Sequence, residues 1–274
     1  MALPPPGPDR TCLVTGASSG IGALLARELA QRGRGVTLVA RREDRLRALA
    51  DELSAGHGVR AEVVASDLTD EEARGRLPQE LASRGLTVDV LVNNAGFSTT
   101  GPAYRADRHR ESAMIRTDVE AVVDLCTLFL PGMVERRRGA VLNVASTAAF
   151  QPIPGQAAYA ACKAFVLSYS HAVRAELAGT GVTLTVLCPG PVATEFVEAA
   201  GFRDGEAEQA APRFMWVPAE RVAAEAVEGL ERGRAEVIPG AQNRVTAIAA
   251  GLAPRAVVAG LVARRHPALH RPRS

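Results

Sequence analysis

Aromatic side chains are scarce in this chain, 4% of residues with a single tryptophan. A core with so few rings must be filled by Ala, Val and Leu. That suits helices packed on a parallel sheet better than an aromatic-rich β-sandwich. Cysteine is sparse as well: Cys12, Cys126, Cys162 and Cys188 are far apart, sit in apolar segments and form no C-x-x-C or Cys/His cluster. Neither a zinc site nor a disulfide framework is indicated. An excess of one charge is also missing, since 32 basic side chains face 30 acidic ones for a net +2. Such a balance offers no strong field for nucleic acid. The opening "MALPPPGPDR" lacks the basic start and apolar run of a secretory signal. These absences lead to the expectation of a reducing, cytoplasmic setting, with residues 1–9 as a flexible proline-rich tail. The run Arg136–Arg138 is expected to form a solvated loop before the next strand.

What is present is alternation. Strand-like apolar runs occur at 11–16, 35–40, 60–66, 88–94, 139–146, 181–190 and 235–240, with helical patterns between them. One such pattern places Leu46, Leu49 and Leu53 on one face. Strands alternating with helices imply β-α-β units and right-handed crossovers. The expected architecture is α/β: a single domain with a doubly wound, Rossmann-type parallel sheet and helices on both faces, spanning residues 10–240. Residues 195–217 form a long excursion carrying Phe196, Phe202, Phe214, Met215 and Trp216. It reads as a substrate lid or as a surface helix pair with some core anchors. Residues 241–274 are a C-terminal extension whose apolar stretches are too short to span a bilayer. Packing on the domain or a subunit contact is the first expectation for it, and peripheral membrane contact through its basic end the second.

The first strand runs into "TGASSGIG", Thr15 to Gly22. Its glycines Gly16, Gly20 and Gly22 permit a tight turn that brings backbone N–H groups and a helix N-terminus to a pyrophosphate. Eighteen residues after Gly22, the second strand ends at Ala40 and is followed by Arg41 and Arg42. An acid near this place would read a free ribose 2′-hydroxyl, whereas arginine's fork matches a 2′-phosphate. The pair therefore favours NADP(H) over NAD(H), the alternative being solvated arginines at a helix start. Glu43 and Asp44 are suited to the first turn of that helix.

"TGASSGIG", "NNAG" (93–96), Ser146, "YAACK" (159–163) and "PGPVAT" (189–194) occur in the order found in the short-chain dehydrogenase/reductase family. The chain resembles its compact single-domain branch. That resemblance implies an oxidoreductase acting on CH–OH/C=O groups and assigns roles by position. Gly16, Ser18, Ser19, Gly20, Ile21 and Gly22 would hold the pyrophosphate, and Asp67 with Leu68 would contact the adenine. Asn93, Ala95 and Gly96 would stabilise the central sheet and pass beside the ribose. Pro189, Gly190, Val192 and Thr194 would form the nicotinamide wall. Ser146 would hold the substrate carbonyl, Tyr159 would serve as general acid or base, and Lys163 would bind the nicotinamide ribose and stabilise the tyrosinate. A phenol titrates near 10 in isolation, and a cation one helical turn away is expected to lower that value.

One position departs from the family. Where an asparagine commonly helps hold a water on a proton path to the lysine, this chain has Asp118, and no asparagine occurs between Ala95 and Leu142. A carboxylate could retain the relay while raising the Lys163 pKa and partly cancelling its field. Phe97, Phe150 and Phe196 are the expected substrate contacts, so a hydrophobic carbonyl, 3-oxoacyl or steroid-like, is the expected substrate. NAD-dependent oxidation of a secondary alcohol and non-catalytic NADP(H) sensing remain as alternatives. The resemblance also implies a homodimer or homotetramer.

Overall fold

Each apolar run becomes a strand, shortened where the next residues leave the sheet to build a crevice. The computed structural model describes residues 3–203 and 205–270. The first half contains β1 (Arg10–Thr15), α1 (Gly20–Gln31), β2 (Val36–Ala40), α2 (Glu43–His57), β3 (Ala61–Ala65), α3 (Glu71–Ser83) and β4 (Thr87–Asn93). Then come α4 (Arg108–Ile115), α5 (Ala121–Glu135), β5 (Gly139–Val144), α6 (Ala157–Glu176) and β6 (Val182–Leu187). The chain continues through α7 (Glu195–Ala199), α8 (Glu206–Ala210), α9 (Ala219–Glu231), β7 (Glu236–Val237), α10 (Ala241–Leu252) and α11 (Arg255–Arg265). All strand pairs are parallel, in the order β3-β2-β1-β4-β5-β6-β7.

Side chains alternate across the sheet as a pleated strand requires. Val14, Leu38 and Leu142 enter the core on one face, while their neighbours Leu13, Val39 and Val141 enter the core on the other. Both faces are thus buried, which explains why these strands read as continuous apolar runs. On the first face α1 packs against α9. Ala26 and Ala30 join the same cluster as Ala223 and Ala226, small residues that let two helices approach closely. Strand order reverses between β1 and β4, and their carboxyl ends therefore open the crevice where such folds bind ligands. Thr15 stitches its rim: its hydroxyl accepts from the N–H groups of Asn94 and Ala95 at 2.9 and 3.0 Å and donates to the Val92 carbonyl at 3.1 Å.

Two expectations are corrected here. Residues 3–9 are not a loose tail: Leu3 is buried in the α1–α9 core, and the carbonyls of Pro4 and Pro5 accept from Arg34 and Arg138. Nor is the arginine run merely solvated. Arg138 Nε meets buried Asp89 at 2.8 Å, and Arg136 donates to the Val88 carbonyl. A buried carboxylate at the start of β4 needs that countercharge.

Candidate active site

Helix α6 presents Tyr159 and Lys163 one turn apart on the same face, and both are buried. Ser146 lies just beyond β5. Its hydroxyl accepts from the Ala148 N–H at 3.1 Å and makes a long 3.4 Å contact to the Pro189 carbonyl, too weak to tie up its proton against a better acceptor. Lys163 Nζ donates to the Val144 carbonyl at 3.2 Å and lies 5.7 Å from the centroid of the Tyr159 ring. Tyr159 also packs against Phe196 of α7, with ring centroids 5.7 Å apart.

Asp118 stands beside this group on a π-helical turn, residues Arg116–Glu120, inserted between α4 and α5. Such one-turn widenings of a helix are frequent at functional sites. Its side chain is wholly buried; Oδ2 lies 3.0 Å from Lys163 Nζ, and Oδ1 accepts from the Phe97 N–H at 3.0 Å. Gly96 makes room for it, because a Cβ there would stand 2.9 Å from Oδ2. Lys163 therefore has a carboxylate for its closest ionic partner. Burial raises the Asp118 pKa, with Lys163 opposing that shift. Burial would lower the Lys163 amine, but Asp118 and Tyr159 outweigh it and hold the amine above its ordinary value.

The expectation for Tyr159 is reversed. Burial pushes its phenol above the ordinary value; Lys163 acts to lower it, and Asp118 adds to the rise. Spacing along a helix places the cation but cannot register the desolvation or the anion that blunts it.

The glycine-rich turn forms the other end of the site. Gly16 and Gly20 have φ of 65° and 56°, a region that disfavours side chains, and a Cβ on Gly22 would lie 2.3 Å from the Gly16 carbonyl. Ser19 is the N-cap residue of α1, yet its side chain makes no cap hydrogen bond. The first N–H groups of that helix are left available for an anion. Arg42 reaches back to the hydroxyls of Ser18 and Ser19 at 2.9 and 2.7 Å. Its other partner is Glu195, at the start of α7, which also pairs with Arg45 at 2.7 Å. Those guanidiniums hold the Glu195 carboxyl below the usual carboxylate range. Arg41 is exposed and makes no ion pair among the described residues.

A single cavity of about 1520 Å³ joins both ends. It exceeds the roughly 300–1,000 Å³ of an ordinary small-molecule pocket, which is room for two ligands side by side. Its wall includes every expected site residue except Asn93, Asp118 and Phe150. Asn93 points away from the cleft: its amide donates to Asn143 at 2.9 Å across the β4–β5 pair, and its neighbour Asn94 takes the cleft position with its amide on the Thr15 carbonyl. Phe150 is likewise absent from the cavity wall, and packs instead against the buried cluster that contains Val166 and Ala247. Asp118 acts from behind Gly96 and Lys163 without facing the cavity. Sequence reasoning missed Ile153 and Gln156 before α6, and also Leu261, Val262, Arg265 and His266 of the extension, all of which line the cavity. The excursion lines it through Phe196, Phe202, Met215 and Trp216, while Phe214 is exposed.

Residues 10–203 match the model of the short chain dehydrogenase family. An NADP-dependent 3-hydroxy acid dehydrogenase of Salmonella typhi is 39% identical over 186 residues, 67% of this chain and 73% of that protein. A very-long-chain 3-oxoacyl-CoA reductase of Anas platyrhynchos is 36% identical over 195 residues, 69% of this chain and 62% of that one. Among solved structures, a short-chain dehydrogenase from Sphingobium yanoikuyae in complex with NADPH superposes with a TM-score of 0.78 at 30% identity. That superposition covers 88% of this chain and 92% of the other.

Proposed function

The chain belongs to the short chain dehydrogenase family, and from that premise we propose that it interconverts a hydrophobic ketone and its secondary alcohol with NADP(H). The observation that carries this reading is one continuous cavity. Ser146, Tyr159 and Lys163 stand at one end, and the glycine turn with an unpaired Arg41 at the other. The residues present fit the dinucleotide. A turn kept clear by Gly16, Gly20 and Gly22 and a helix N-terminus with no side-chain cap suit its pyrophosphate, and Arg41, Arg42 and Ser18 suit a 2′-phosphate. When bound, the nicotinamide supplies or accepts the hydride.

The chain's own residues supply position and a proton. Ser146 holds the carbonyl oxygen, and Tyr159 gives it a proton as negative charge develops there. Tyr159 is protonated at neutral pH, as a phenol at or above its ordinary value is, and so carries the proton that reduction needs. Lys163 stabilises the phenolate left behind, and Asp118 limits how strongly it does so. Phe97, Ile153, Phe196 and Trp216 give the substrate end an apolar wall, which supports a 3-oxoacyl chain or a comparably bulky ketone. Residues 195–217 act as the lid of this end, and residues 10–240 as the catalytic domain.

A panel of ketones and 3-oxoacyl thioesters, followed by NADPH absorbance, tests the reading; tight NADPH binding with no oxidation by any of them would leave a sensor. The cofactor choice has its own test by direct binding. Arg41→Ala is expected to weaken NADPH by about 10–100-fold and leave NADH unchanged, the worth of a charge-assisted hydrogen bond. Glu195→Gln frees Arg42 and Arg45 and is expected to move NADPH affinity the opposite way. Equal effects on both cofactors would show that these arginines do not read the 2′-phosphate.

We place the protein in a reducing, cytoplasmic setting, a reading supported by four free cysteines, all buried. No helix among the described residues is long and apolar enough to cross a membrane. A homodimer or homotetramer is the proposed assembly. Half-exposed Phe165, stacked on Tyr169 at 5.9 Å, offers apolar area on α6 for such a contact.

A further inference from the structure

We propose that helices α10 and α11 form a docking face for an anionic phospholipid surface, set beside the mouth of the substrate cavity. The argument starts from charge. Of 32 basic and 30 acidic side chains, six arginines and no acid follow Glu236, so the rest of the chain carries a net −4. Four of these arginines, Arg244, Arg255, Arg264 and Arg265, lie on α10 and α11 and are exposed, a basic surface that is drawn to a negative one.

The apolar pattern adds a second, independent feature. Nine large hydrophobic side chains are exposed among the described residues, and five of them lie on these two helices. Val245, Ile248 and Leu252 recur along one stripe of α10, and Val257 and Leu261 are one turn apart on α11. The opposite side of α10 is fixed: Asn243 is buried and donates to the carbonyls of Met215 and Pro239 at 2.9 and 3.0 Å, and Ala247 is buried beside it. On α11, Val258 is buried, and next to that helix His266 packs against Phe202 at 6.0 Å. The stripe is therefore held outward by a folded support.

Arg244 and Arg255 accompany the stripe and are exposed. An exposed apolar stripe flanked by arginines is the composition of a helix that lies in the interface of a membrane. A second copy of the chain fits it poorly. A two-fold contact through this face would set arginine on arginine with no carboxylate from either extension. Leu261, Val262 and Arg265 belong both to this extension and to the cavity wall. A ketone on a membrane-embedded acyl chain would thus have a short path to Tyr159, a consequence that rests on the function proposed above.

The test is cosedimentation of the full chain with vesicles, without substrate. Binding to vesicles containing phosphatidylglycerol is expected to exceed binding to pure phosphatidylcholine by about tenfold or more and to fall as salt rises. The double variant Ile248→Ser/Leu252→Ser is expected to lose binding at all salt concentrations. Arg244→Gln/Arg255→Gln is expected to lose the preference for the anionic lipid. NADPH binding in solution serves as the folding control for both. Absence of vesicle binding, or binding indifferent to lipid charge, overturns the proposal. So does self-association of the lipid-free protein that Ile248→Ser/Leu252→Ser abolishes, since a second copy would then be the occupant. NADPH-dependent ketone reduction that persists without vesicle binding would remove this inference alone and leave the enzymatic reading standing.

Discussion

Replacing Tyr159 by phenylalanine is expected to lower the turnover of any accepted ketone by about 10²–10⁴-fold, the usual worth of a positioned proton donor. The ring remains, so its packing against Phe196 and its place over Lys163 are retained. NADPH affinity should accordingly change by no more than a few-fold. That split is the diagnostic point. A purely structural tyrosine would lose stability together with activity, whereas a proton donor loses kcat while folding and cofactor binding persist. Single-turnover measurements with NADPH, read alongside thermal unfolding, check both halves. Turnover within tenfold of wild type would remove Tyr159 from the acid's role.

The second large effect concerns Asp118 and separates two roles. Asp118→Leu removes the carboxylate facing Lys163 and the acceptor for the Phe97 N–H. Stripping one partner from a buried ion pair costs about 3–5 kcal/mol, and urea unfolding of the variant should show a loss of that order. Asp118→Asn keeps an acceptor for Phe97 and should be far better tolerated, so its signature lies in the pH profile. The Asp118 charge helps hold the Tyr159 phenol above its ordinary value, and removing it lowers that value as long as Lys163 stays charged. Reduction needs the protonated phenol, so its alkaline limb should move to lower pH. Oxidation needs the phenolate, so its rising limb should move the same way. Superimposable wild-type and Asp118→Asn profiles would reduce Asp118 to a packing residue.

Much of this site is legible in the sequence, for a physical reason. The glycine turn, Ser146 and the Tyr159–Lys163 pair are local: each follows from a strand end, a helix start or a single helical turn. Exchanging Asn93 for Asn94 shows where local reasoning stops. Successive strand residues face opposite sides, so a one-residue difference in where β4 ends decides which amide faces the ligand and which pairs with Asn143. Phe150 illustrates the same limit from another direction, because the cluster it packs against draws Val122, Val186 and Ala247 from segments distant in sequence. The raised phenol of Tyr159 required the burial and the position of Asp118, and the part of the cavity wall made by α11 required a whole tertiary fold. None of these has a short-range signature.

The pairing of α1 with α9 bears on how the molecule is made. Leu25, Ala26 and Leu29 of α1 find their cover in Val222, Ala226 and Val227, which lie far downstream. Roughly 200 residues of synthesis separate the two helices, about 10–40 s at ordinary translation rates. During that interval α1, beside the newly made glycine turn, can pack on β1, β2 and α2 but lacks the cover that α9 provides. Any N-terminal fragment ending before α9 leaves that part of α1 uncovered, so the first half of the sheet is completed only by a helix that leaves the ribosome after Tyr159.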